Sequence, residues 1–194
     1  MKTCAKIKLK NGLKIYLLND NTKHTTYINL IVNYGGLDNT IFINNKKHVF
    51  PNGMAHFIEH LVLESSIYGD LMENFGRMGI ISNGLTSVNR TQFYIDTVDH
   101  IYDGLKVLIK GIHNPIINKD IIENIRKPIL EEKRRSLDNK YSNLYNANVL
   151  NSIMEQDGGF AFVVRGFEYF QDTKTLNFIT SLTSGSSERR RMLS

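Results

Sequence analysis

One cysteine and three prolines among 194 residues set the first limits. Cys4 has no second thiol to pair with, so an internal disulfide is excluded and a reducing, cytoplasmic setting is expected. Without a C-x-x-C pair, a cysteine-type structural zinc site is excluded as well. So few prolines argue against a long disordered linker. No run of about eighteen apolar residues occurs, so no membrane-spanning helix is expected. The start, MKTCAKIKLKNG, lacks an apolar run behind its lysines and does not read as a secretory signal. Also missing is a basic patch interleaved with aromatics. The net charge of +5 comes from 24 Lys and Arg against 19 Asp and Glu, partly in the tail SSERRRMLS, and nucleic acid is not expected as a partner.

What remains is an ordinary globular composition, 41% hydrophobic and 22% charged, with enough length for one domain. Residues 1–182 read as a single module and residues 183–194 as a disordered basic tail. Cys4 to Lys10 and Leu13 to Asn19 alternate around Asn11 and Gly12, the pattern of a β-hairpin. Thr25 to Gly36 reads as a central strand, and residues 37–51 as a polar loop in which His48, like His24, is a solvated residue. Ile67 to Ile80 reads as a packing helix with Leu71, Met72, Phe75 and Met78 in the core. Strands over Ile80 to Thr86 and Thr91 to Val98 come next. An amphipathic helix from Asp99 or His100 follows, with Ile101, Leu105, Leu108, Ile109 and Ile112 on one side. A longer helical segment from Asn118 to Met154 carries Pro128, where a kink or break is expected. Beyond it lie a Gly-broken apolar segment, DGGFAFVVRGFEYF, and a short amphipathic piece, KTLNFITSLT.

Pro51 to Ser66, PNGMAHFIEHLVLESS, organises the rest. On a helix, His56 and His60 stand four apart, one turn above the other, with both imidazoles off one face. Glu59 is near enough to reach a water held between them, while Phe57, Ile58, Leu61 and Val62 supply apolar surface for burial. The order H-x-x-E-H inverts the commoner H-E-x-x-H zinc signature, and the same chemistry is available to it. The competing reading is a helix that happens to carry two histidines. Glu131 and Glu132, followed by Lys133, Arg134 and Arg135, read on pattern alone as a salt-bridged solvated face.

Taken in order, NGLKIYLLN, a strand ending YGG, GMAHFIEHLVLES, ISNGLTSVNRTQFYI and ILEEKRR resemble the N-terminal catalytic module of the pitrilysin/insulinase family of zinc metallopeptidases, which includes the mitochondrial processing peptidases. The resemblance runs from about Asn11 to about Leu182. It implies an α/β fold, an α+β roll with a mostly antiparallel sheet covered by helices on one face, here lacking the module's C-terminal end. It further implies a zinc-dependent endopeptidase acting on short, precursor or leader peptides. In that role His56, His60 and Glu132 hold one Zn2+, with Glu131 the competing third ligand. Glu59 is the general base, and Asn83 and Thr86 lie where the substrate binds. The family usually has a glutamate seven residues before the ligand glutamate; here that position is Ile125, with Glu123 nearby. Family members work as paired modules, the second supplying an Arg and a Tyr to the peptide substrate, so the expected role is the catalytic half of a two-chain enzyme. The alternative is a non-catalytic partner subunit or truncated remnant of one.

Overall fold

The computed structural model describes residues 2–137 and 176–182. The elements run β1 (Lys2–Lys8), β2 (Lys14–Asp20), β3 (Thr26–Val32), β4 (Thr40–Ile43), β5 (Lys46–Val49), α1 (Met54–Glu64), α2 (Leu71–Arg77), β6 (Ile81–Thr86), β7 (Thr91–Thr97), α3 (Ile101–His113), α4 (Lys119–Leu137) and β8 (Leu176–Leu182). The expected hairpin is β1 and β2 in antiparallel register. Six strands form one sheet in the order β1-β2-β8-β3-β7-β6. Every pairing in it is antiparallel except that of β2 with β8.

One face of this sheet is apolar. Ile28 and Leu30 of β3 stand opposite Ile95 and Phe93 of β7, and all four are buried. Against that side pack the fully buried Phe57, Ile58, Leu61 and Val62 of α1, with Phe75 and Leu108 from α2 and α3. Alternation sends the intervening β3 and β7 residues to the other face, where the Asn29 side-chain amide donates to Gln92 and the Tyr27 and Tyr94 rings meet at 5.5 Å. This mixed architecture agrees with the expected α/β roll.

Several local readings change. Residues 37–51 contain a second hairpin, β4 and β5, turned by Asn44 and Asn45 at φ of 51° and 61°. Asparagine tolerates this left-handed backbone, so the turn signal was an Asn-Asn pair within a segment too polar to read as strand. His48 accordingly sits in β5, its ring stacked near Phe50. The packing helix begins later than expected, because the Asp70 carboxylate accepts from the Glu73 N–H and caps α2. Leu71 and Phe75 are buried, but Met72 is exposed; so is Ile109 of α3. α4 continues through Pro128 without a break. KTLNFITSLT supplies β8, a central strand of the sheet. The continuation of the Asn118 helix past 137, the Gly-broken segment and the tail at 183–194 lie outside the described residues.

α1 starts at Gly53, whose φ of 90° lies in the left-handed region while its carbonyl accepts from the Phe57 N–H at 2.9 Å. A side chain there strains the start of the helix. Gly53→Ala is expected to lower unfolding stability by about 1–2 kcal/mol, read as a reduced denaturant midpoint with unchanged slope.

Candidate metal centre

α1 is buried around most of its circumference. Only His56, His60 and Glu64 are intermediate in exposure between Met54 and Glu64, and they recur every fourth residue along one stripe. Its C-terminal end is tied down by the Ser65 hydroxyl donating to the Ile116 carbonyl, just ahead of α4. α4 in turn buries Ile122, Ile125 and Ile129, and Glu132 continues this i, i+3, i+7 stripe by three further residues. The stripe that anchors α4 therefore carries Glu132 to the accessible edge of α1.

There three donor atoms converge. His56 Nε2 and His60 Nε2 are 3.3 Å apart, and Glu132 Oε2 lies 3.4 Å from the first and 3.6 Å from the second. A tetrahedral ion with metal–nitrogen and metal–oxygen bonds of about 2.0–2.2 Å requires donors about 3.3–3.6 Å apart. The triangle fits such an ion. Among the described residues, these three are the one group of His, Cys, Asp and Glu with donor atoms close enough to hold a metal. Glu131 is turned away and pairs with Arg134 on the exposed side of α4.

Glu59 lies beside the triangle but is not one of its members. It is 7% exposed, and its Oε2 accepts from the Thr86 hydroxyl at 2.6 Å. Gly84, two residues earlier on β6, leaves the space for this carboxylate: a Cβ there would stand 2.6 Å from Glu59 Oε1. Asn83 alternates to the other face of β6, and its side-chain oxygen accepts from the Gly84 N–H. β6 is one of the two edge strands of the six-stranded sheet, and it borders a cavity of about 650 Å3 into which the three donors and Glu59 open. Leu37, Leu63, Met72, Leu85 and Val88 supply its apolar wall.

The family described as Insulinase (Peptidase family M16) matches residues 14–159. The chain belongs to this family. A Bacillus subtilis protein named as an uncharacterized zinc protease, YmfH, is 30% identical over 141 residues, which is 71% of this chain and 32% of YmfH. The crystal structure of an M16-like peptidase from Alicyclobacillus acidocaldarius superposes with a TM-score of 0.86 at 17% identity, over 99% of this chain and 48% of that one. The first half of the periplasmic protease PqqL from Escherichia coli gives 0.75 at 18% identity, over 98% of this chain and 44% of that one. At such identities these structures establish the fold. The chain spans about a third of the YmfH sequence and about half of the solved chains.

Two residues around this donor group escaped the sequence reading. Glu64 accepts from His60 Nδ1 at 2.7 Å, which leaves Nε2 facing the triangle. Its signal was available, since it stands four residues after His60 on the same face. Position 125, where the family usually has a glutamate, is Ile125 buried in the core, and the nearby Glu123 pairs with Arg126. The second is Gly84, marked only as a glycine inside a strand.

Electrostatics couple the group. Burial pushes the His60 imidazole down, but the Glu64 hydrogen bond and the charges of Glu132, Glu59 and Glu64 outweigh it and hold its pKa above the usual histidine value. Glu132 is held below the usual carboxylate value by its hydrogen bond with His56, against partial burial, with the charges of His60 and His56 adding to the effect. A proton on His60 competes with a metal for the same site. Zinc affinity should therefore climb with pH, and because the His60 pKa is raised the climb should extend above about pH 6.5. Glu64→Leu should weaken zinc binding at pH 8 by about 10–100-fold and move the climb to lower pH, both measurable by chelator competition across a pH series.

Proposed function

We propose that this chain is the catalytic module of a zinc-dependent endopeptidase, with His56, His60 and Glu132 holding the metal and Glu59 as general base. The observation that carries the reading is the donor triangle with a buried carboxylate set beside it. Three protein donors leave a fourth position open, the arrangement of catalytic and not of structural zinc. A bound zinc supplies an acidified water and polarises the scissile carbonyl. Glu59 takes the proton from the attacking water and delivers it to the leaving amine. His60, oriented by Glu64, keeps Nε2 toward the metal, and Glu132 contributes the anionic ligand.

The substrate in this proposal is an extended peptide that pairs with the free edge of β6 near Asn83. Short, precursor or leader peptides suit an edge bordered by a cavity of this size. Among the described residues no Lys, Arg or Tyr lines that cavity, which supports a second homologous module supplying the Arg and Tyr that contact the peptide. Coverage of about half of the solved M16-like chain supports the same partner. The single Cys4 supports a reducing, cytoplasmic setting.

Metal content and peptide cleavage test the reading together. Purified chain should carry close to one zinc, retained in Glu131→Gln and lost in Glu132→Gln. Glu59→Gln should keep the zinc while cleavage of a fluorogenic peptide, assayed with a homologous second module present, falls by at least about 100-fold. Full cleavage by Glu59→Gln would remove the mechanism. Zinc retention in Glu132→Gln would remove the ligand set.

A further inference from the structure

Glu59 is gripped by a strand that carries none of the three donors. On the face of β6 that meets α1, Gly84 provides the space and Thr86 the hydrogen bond. Behind Thr86 stands its register partner Thr91, fully buried on β7. The Thr91 hydroxyl donates its only proton to the Tyr34 carbonyl at 2.7 Å and lies 3.4 Å from the Thr86 oxygen. With its proton committed, Thr91 can offer Thr86 only a lone pair. The Thr86 proton goes instead to Glu59 Oε2, the nearer acceptor and a carboxylate.

The direction of each hydrogen bond is thus fixed from Tyr34 outward, and Glu59 can neither rotate toward Gly84 nor drop its Oε2 without losing a partner in a buried position. We propose that Thr86 is a positioning residue: backed by Thr91 and with Gly84 giving clearance, it locks the Glu59 carboxylate in the orientation from which it meets the attacking water. It acts through Glu59 and does not contact the substrate, which differs from the role expected for it from the sequence. The inference rests on the reading of Glu59 as the general base.

The alternative to be beaten is that Thr86 merely satisfies a buried carboxylate, in which case its loss lowers stability alone. Thr86→Val keeps the shape and removes the proton; Thr86→Ser keeps the proton. In the zinc-loaded chain assayed as above, Thr86→Val should lower kcat by about 10–100-fold, leave KM within about twofold, and leave zinc content unchanged, while Thr86→Ser recovers kcat to within about threefold. Unchanged kcat in Thr86→Val overturns the proposal, as does a raised KM at full kcat, which marks a substrate contact. Should Thr86→Val fail to fold, Gly84→Ala replaces it, since its Cβ displaces Glu59 from the other side; the same kcat loss with zinc retained is expected, and unchanged kcat overturns the proposal.

Failure of the parent chain to cleave any peptide would count against the proposed function and leave this inference testable by structure. Crystal structures of Thr86→Val and Thr86→Ser then decide it. The Glu59 carboxylate should swing off its place over Gly84 in the first and return in the second; an unmoved Glu59 in Thr86→Val overturns the proposal.

Discussion

Burying α1 against both the sheet and α4 is the constraint from which the site follows. A helix with eight buried residues among eleven has few directions left for polar side chains. His56, His60 and Glu64 share the one stripe that stays accessible, because a four-residue step nearly closes a helical turn. Glu59 falls off that stripe, toward β6, where Gly84 has no side chain to oppose it. The division between the converging imidazoles and the neighbouring carboxylate is therefore set by which side of one helix each residue occupies.

Convergence also needs a second helix in fixed register. The carboxylate of Glu132 meets two imidazoles at 3.4 and 3.6 Å because Ile122, Ile125 and Ile129 lock the rotation of α4. A rotation of one residue would bring Glu131 inward and turn Glu132 away from the imidazoles. Pro128 lies within this stretch and does not end the helix. Its missing N–H leaves the Asn124 carbonyl without its helical partner, a local cost that the buried isoleucines on either side outweigh. Packing fixes the third donor where hydrogen bonding along the helix is at its weakest.

Much of this was legible in residues 51–66 and in the order of the strands, because a pair of histidines at helical spacing and runs of alternating β-branched residues carry their geometry with them. The preference for Glu132 over Glu131 came from the family resemblance and not from the acidic pair itself; the structure adds a physical reason, the buried stripe of Ile122, Ile125 and Ile129 that continues to Glu132. Glu64 was equally near at hand, but one more glutamate on a helix reads as solvated until its partner is seen 2.7 Å away. The β4 and β5 hairpin was not legible by apolar alternation, since Lys46, Lys47 and the Asn pair dilute it; only backbone conformation at Asn44 and Asn45 defines it. β8 was the hardest. Its position between β2 and β3 depends on a long-range pairing that a local reading of KTLNFITSLT cannot supply.

The chemistry lining the cavity is one-sided. Glu59, Glu64 and Glu132 bring three carboxylates to it, while no Lys or Arg is among the described residues that line it. Glu64 and Glu132 both lean on His60, which is why its pKa rises in spite of burial. A divalent ion relieves the same imbalance without needing the proton on His60, with which it competes. Charge balance, not the histidine pair alone, makes this arrangement receptive to a cation. Glu59, which like Glu64 stands outside the donor triangle, takes a neutral donor, the Thr86 hydroxyl.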